Sequence, residues 1–231
     1  MRTREVWKGG LCAASGIGLL AFAGSTASAD VVASFGFTEL NANFDLDGMT
    51  GEGMFTAVGT LDSSGDVTRL GGMGGTALYN PGSVDNAPTS VLFEISVINI
   101  DSVSKTAQGI GTFSISDADG DVLMGSFSGD WSGVGFGFTF YGGSGVDFEF
   151  DSSAGNGSWD GPSGGSFSTD FGVDQLVGAV SLLFQQPTTN FFAASFMDSS
   201  VQADGIMIIP APGALALGGI GLGIAGARRR R

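Results

Sequence analysis

The chain has no histidine, and its single cysteine, Cys12, lies near the N-terminus. These absences exclude serine–histidine and cysteine–histidine catalytic pairs from the rest of the chain, because each pair needs an imidazole or a thiol. They also exclude intrachain disulfides and zinc sites built from thiolates or imidazoles. A domain of this composition must depend on an ordinary apolar core for its stability.

Positive charge is also scarce. Between residues 30 and 209 the only basic residues are Arg69 and Lys105, against 22 of the chain's 23 acidic residues, so this segment has a formal net charge of −20. Recognition of phosphate depends on lysine and arginine, so we expect no binding to nucleic acid. A surface with this much negative charge favours solubility and the binding of cations.

Residues 1–29 have the pattern of a secretory signal peptide. Three basic residues precede a short apolar run, LCAASGIGLLAFAG, and the small residues Ala27-Ser28-Ala29 form a typical cleavage site. We expect cleavage between Ala29 and Asp30, which makes Asp30 the first residue of the exported domain.

Residues 30–205 are predicted to form one exported, acidic, all-β domain. Runs such as VVASFGFTEL, SVLFEISVINI and GTFSIS alternate apolar and polar residues, and turn signals such as LDSSGD and YNPGSVDNAP separate them. We expect an antiparallel β-sandwich or a jelly-roll-like fold, flanked by an N-terminal signal helix and by a C-terminal apolar helix within residues 206–231. Glycines 142, 143 and 145 are predicted to form a hairpin turn.

The sequence Asp117-Ala118-Asp119-Gly120-Asp121 is the best candidate for a metal site. Alternate aspartates in a turn direct hard oxygen ligands inward, as Ca²⁺ requires. The match to a calcium-binding loop is partial, since Val122 and Ser128 occupy the positions of the conserved glycine and glutamate. The alternative is an Asp/Gly hairpin turn that needs no metal.

Two further sets of residues are candidates for contact with sugars. If they are exposed, Trp131 and Trp159 would stack on sugar rings. Together with a calcium site they would form a lectin-like binding module. The alternative is that both tryptophans pack in the core. Asp147 and Glu149 lie on one face of a predicted strand, and a carboxylate glycosidase needs such a pair. The alternative there is a solvated outer face.

In the C-terminal segment, residues 206–231, a long uncharged stretch is followed by a cluster of arginines. Twenty-two uncharged residues, long enough for a helix that spans a membrane, precede Arg228, Arg229, Arg230 and Arg231. The arginines would remain in the cytoplasm. Together with Pro210-Ala211-Pro212, this order resembles the PEP-CTERM sorting signal of exosortase systems, with Ala211 where that family has glutamate.

The resemblance implies an exosortase-type membrane protease or transpeptidase as a partner. It also implies a membrane-inserted precursor and delivery to the cell surface or extracellular polysaccharide of a Gram-negative-type bacterium. The alternative is a permanent single-pass anchor without cleavage. Our leading hypothesis is a structural or interaction protein with no catalytic residues.

Overall fold

A computed structural model describes residues 30–72, 74–85, 90–153, 155–173, 176–186 and 191–210. Within these ranges the chain is all-β, as predicted, and its helical content is one 3₁₀ turn, Gly135–Gly137. The predicted signal peptide, including Ala27 and Ala29, lies outside the described residues. Ala211, Pro212 and the four terminal arginines lie outside them as well.

Twelve strands are present in the described part of the chain. In chain order they are β1 (Asp30–Leu46), β2 (Gly53–Val58), β3 (Ser64–Arg69), β4 (Gly75–Tyr79), β5 (Val91–Asp101), β6 (Thr106–Ser116), β7 (Val122–Val134), β8 (Phe138–Asp151), β9 (Ser158–Asp160), β10 (Ser166–Ser168), β11 (Leu176–Gln185) and β12 (Phe196–Ile209).

Eight of these strands form a closed antiparallel barrel, so the predicted sandwich or jelly roll is wrong. The order around the barrel is β12, β11, β8, β7, β6, β5, β2 and β1, and β1 pairs with β12 to close it. Strands β3 and β4 extend the sheet from the first half of β1, and β9 pairs with β10 in a separate hairpin. Closure pairs the two strands that would otherwise be edges of the sheet.

Strand β1 changes partners at an irregularity in its middle. Its first half pairs with β3 and its second half with β2. Between Phe37 and Leu40 the register with β12 shifts, and Glu39 adopts a positive φ of 58°. The extra residue keeps both Phe37 and Leu40 directed into the core, as a β-bulge does.

Aromatic side chains fill the barrel interior. The ring of Trp131 lies 4.7 Å from Tyr141 and 5.0 Å from Phe55, measured between centroids, and the Phe113 and Phe148 rings meet edge to face at 5.0 Å. Aromatic pairs in these geometries add to the free energy gained by burying their area. These contacts link the inner faces of β2, β6, β7 and β8.

The aromatic run at the start of β8 faces outward. Phe136 is 96% exposed in the 3₁₀ turn, and Phe138 and Phe140 also lie on the solvent side, whereas Thr139 and Tyr141 point into the core. Tyr141 and Phe148 of the same strand are buried, so β8 carries aromatic side chains on both of its faces.

The predicted turn at glycines 142, 143 and 145 is absent, because β8 runs without interruption from Phe138 to Asp151. The glycines instead allow neighbouring groups to approach closely. A Cβ atom on Gly143 would lie 2.6 Å from the Tyr141 hydroxyl, and one on Gly129 in β7 would lie 2.0 Å from the Gly142 carbonyl oxygen. Glycine in a strand interior often marks such an approach.

The C-terminal boundary also differs from the prediction. Residues 206–209 belong to β12 and Met207 is buried in the core, so the expected apolar helix does not begin at Ile206. The β domain therefore extends to Ile209 rather than to residue 205. Among the described residues, no helix has the length and apolar character needed to cross a membrane.

Candidate metal centre

The β6–β7 turn is organised by the buried carboxylate of Asp117. Its Oδ1 accepts hydrogen bonds from the backbone N–H groups of Asp119, Gly120 and Asp121, at 3.1, 2.9 and 2.9 Å. The Asp117 backbone N–H in turn donates to the Asp121 carbonyl oxygen at 3.0 Å. This is the hairpin turn that the sequence predicts, and Asp117 fixes its shape.

A fourth aspartate reaches this turn from a distant part of the chain. The Asp160 backbone N–H donates to Asp117 Oδ2, and the Ala118 N–H donates to the Asp160 carbonyl oxygen, each at 2.9 Å. One carboxylate oxygen from each of Asp117, Asp119 and Asp160 lies within 4.8 Å of the other two. Asp160 was not predicted as part of the site, because its only local signal is an acidic residue in the loop-like NGSWDG stretch.

Asp121 lies beside this cluster with its carboxylate buried. Within the described part of the chain no hydrogen bond of ordinary geometry reaches either of its oxygens, and the Gly155 backbone N–H interacts with the carboxylate without meeting that geometry. The backbone of Gly155 packs so closely that a Cβ atom there would lie 1.9 Å from Oδ1. Burial raises the pKa of Asp121, the negative charges of Asp119, Asp151 and Asp160 raise it further, and the Gly155 backbone N–H offsets part of the increase.

Asp119 is the exposed member of the cluster. Its pKa is raised, chiefly by a side-chain hydrogen bond with Asp117 and then by partial desolvation and by the charge of Asp117.

Both basic residues of the described chain are engaged with other groups. The Arg69 guanidinium donates to the carbonyl oxygen of Ser168, and its Cζ lies 4.4 Å from the centroid of the Phe171 ring. Lys105 lies in the turn between β5 and β6, and its side chain packs against Gly133. Residues 117, 119, 121, 151 and 160 therefore concentrate negative charge at one end of the barrel.

Both candidate sugar-binding tryptophans are buried, so the prediction that they stack on sugars is wrong. Trp131 packs among Phe55, Tyr141 and Phe184 inside the barrel. Trp159 is covered as well, and its Nε1–H donates to the Tyr79 hydroxyl at 3.0 Å. Stacking on a sugar ring needs an accessible indole face, and neither residue offers one.

Asp147 and Glu149 occupy the outer face of β8, with Phe148 pointing inward between them. They line an open groove of about 500 Å³ together with Glu94 and Met124. This is the solvated face that was the alternative to a glycosidase pair. The groove lies across the sheet rather than in a cleft between elements.

No family model, no curated protein and no solved structure matches this chain. The residues themselves are therefore the only basis for assigning a function.

Proposed function

We propose that this protein is an exported structural or interaction protein of the cell surface or extracellular matrix of a Gram-negative-type bacterium, delivered through an exosortase-type sorting signal. The observation that carries the proposal is the pairing of Asp30 with Ile209 across the seam of the barrel. The expected mature N-terminus and the residue just before Pro210 are therefore neighbours. The segments proposed for export and for sorting leave the barrel at one end.

The length of the C-terminal segment is consistent with this proposal. Because β12 includes residues 206–209, the uncharged stretch between the barrel and Arg228 is residues 210–227, which is 18 residues. Such a short apolar stretch suits a transiently inserted precursor that is later released.

The opposite end of the barrel then faces away from the membrane while the tail is inserted. Because adjacent strands are antiparallel, the β1–β2, β5–β6 and β7–β8 turns all lie at that end. Each turn carries one highly exposed apolar side chain, namely Met49, Val103 and Phe136, at 94, 93 and 96% exposure. We propose these turns as the surface that contacts matrix polysaccharide.

Intact-mass measurement of the surface-exposed protein tests the sorting proposal. The full chain would be produced in an exosortase-bearing host and in the same strain without its exosortase. We expect the host with the enzyme to yield a product that begins at Asp30 and lacks Arg228–Arg231. The strain without it should retain the arginines.

A pair of matched variants strengthens this test. Replacing Pro210 and Pro212 by alanine should block release of the tail, whereas Pro81→Ala, in the connection after β4, should be processed like the wild type. A surface product that keeps the four arginines in the exosortase-bearing host would overturn the sorting proposal and favour a permanent anchor.

A further inference from the structure

A row of residues on the outer face of the barrel crosses six neighbouring strands. Each residue is paired directly with the next, and from β5 to β12 they are Ile98, Gln108, Asp130, Gly142, Ser181 and Asp204. Two open grooves, of about 270 and 640 Å³, follow this row and share residues 128–130 in their lining. Because neighbouring strands lie about 4.8 Å apart, the combined groove, here called the wall groove, is about 24 Å long.

Small residues form the floor of the wall groove, and larger apolar side chains stand beside it. Gly142 and Ser181 occupy the middle of the row, with Ser144 next to them. Phe140 and Ile206 line the groove and are 40 and 45% exposed. The Phe140 ring leans over the floor, since a Cβ atom on Gly142 would lie 3.1 Å from it. Exposed apolar surfaces beside hydroxyl groups suit a ligand that has both kinds of group, as a sugar does.

The charges of the wall groove are all negative in the described part of the chain. Asp130 and Asp204 are exposed members of the row and lie three strand spacings apart, about 14 Å. Neither Arg69 nor Lys105 lines the groove. Two carboxylates at this separation cannot share one metal ion, but they can contact successive positive charges along a polymer.

The direction of the groove favours a polysaccharide over an extended peptide. The groove crosses the strands, and each of the six strands is paired with a neighbour on both sides. A peptide that adds to a sheet needs a free strand edge, and the wall groove offers none. A second copy of the chain would bring a second net charge of −20 against the first, which opposes self-association at this face.

We infer that the wall groove binds a polysaccharide whose sugars carry free amino groups. Asp130 and Asp204 would pair with its ammonium groups, and Phe140 would contact a sugar ring or an ammonium group through its exposed face. The inference rests on the proposed contact with matrix polysaccharide, and it adds the class of sugar and a binding surface on the barrel wall.

Calorimetric titration of the full-length chain with a glucosamine oligosaccharide tests the inference. The fully N-acetylated oligosaccharide of the same length is the matched control, because it keeps the sugar rings and lacks the positive charges. We expect it to bind at least about threefold more weakly, since it loses ion pairs with two exposed carboxylates. An oligogalacturonate, which is an anion, should not bind. Affinity for the glucosamine oligosaccharide should fall as sodium chloride is added.

Matched double variants locate the binding surface. Asp130→Asn with Asp204→Asn should weaken binding of the glucosamine oligosaccharide by about three- to tenfold. Asp147→Asn with Glu149→Gln removes the same net charge from the outer face of β8, outside the wall groove, and should keep the wild-type affinity within about twofold. Phe140→Ala should weaken binding by about two- to fivefold. All of these side chains lie on the surface, and thermal unfolding would confirm that the variants fold.

Four results would overturn the inference. One is equal affinity for the glucosamine and the N-acetylated oligosaccharides, and another is an equal loss of affinity in the two double variants. A third is equally tight binding of polylysine with the same dependence on Asp130 and Asp204, which would assign the groove to cationic peptides. The last is a stable dimer in sedimentation that Phe140→Ala dissociates, which would assign it to a second copy.

Failure of this inference is distinguishable from failure of the proposed function. If Met49→Ser and Phe136→Ser abolish binding of the glucosamine oligosaccharide and the wall-groove variants do not, the turns alone hold the polysaccharide. That result overturns the wall groove and leaves the proposed function intact. Retention of the four arginines in the intact-mass measurement overturns sorting, and the binding measurement does not depend on it.

Discussion

Asp30 and Ile209 are paired residues on neighbouring antiparallel strands, so the first and last residues of the barrel lie side by side. The pairing continues through Val31 with Ile208 and Ala33 with Met207. This seam closes the sheet, and it is formed by residues that are almost 180 positions apart in the sequence. The end of β12 is therefore part of the barrel and cannot be treated as a linker to the sorting tail.

Truncation tests the position of this boundary. A chain of residues 30–209 should fold, whereas a chain of residues 30–205 should lose the pairing of residues 206–209 with β1 and β11 and the buried side chain of Met207. Loss of a buried methionine side chain alone costs about 2–5 kcal/mol. The free energy of unfolding in urea would measure the difference. Equal stability of the two chains would contradict the boundary at Ile209.

The all-β class and the β6–β7 hairpin were predictable because their signals are local. Alternation with period two and an Asp/Gly turn require only a few adjacent residues. Closure was not predictable, because it depends on contact between β1 and β12, and the same alternation occurs in sandwiches and in barrels. Alternation also leaves open which face of a strand is buried, as β8 illustrates.

The two faces of β8 give the next prediction. Phe148→Ala should destabilise the protein by about 3–5 kcal/mol, because this buried ring packs edge to face on Phe113. Phe140→Ala removes an outward ring of the same strand and should cost about 1 kcal/mol or less. Denaturant unfolding of both variants would check the assignment. Similar losses for the two would show that the faces are assigned incorrectly.

Gly109 in β6 provides the space into which two core rings pack. A Cβ atom there would lie 2.6 Å from the Tyr141 ring and 2.7 Å from Trp131 Nε1. Gly109→Ala should therefore destabilise the barrel by about 1–3 kcal/mol through overpacking. Gly48→Ala is the matched control, since no atom lies within 4 Å of its added Cβ, and its stability should remain near that of the wild type. A neutral Gly109→Ala would mean that the core around Trp131 is loosely packed.

The candidate metal centre was only partly visible in the sequence. Asp117, Asp119 and Asp121 occur together in a recognisable turn, so their proximity was expected. Asp160 joins them only because the β9–β10 hairpin folds back onto the β6–β7 turn through backbone hydrogen bonds. The burial of Trp131 and Trp159 depends likewise on the tertiary fold, since an indole in a strand or loop has no local signal for its exposure.

The two tyrosines of the chain, Tyr79 and Tyr141, report on the integrity of the core at high pH. Burial raises the pKa of both phenols above the ordinary value of 10. For Tyr79 the hydrogen bond from Trp159 offsets part of this increase, and the negative charge of Asp117 adds to it. For Tyr141 the negative charge of Asp130 raises the pKa further.

The direction of the resulting pH dependence follows from these raised pKa values. The folded protein holds both phenolic protons more tightly than the unfolded chain, so their contribution to stability is constant below pH 10 and falls as the pH rises above it. Phenolate absorbance should therefore be absent from the native protein just above pH 10 and should emerge together with loss of the near-ultraviolet circular dichroism. The denatured chain, the control, should titrate near pH 10. A tyrosine that ionises near pH 10 while the near-ultraviolet signal is intact would show that at least one of these rings is accessible to solvent.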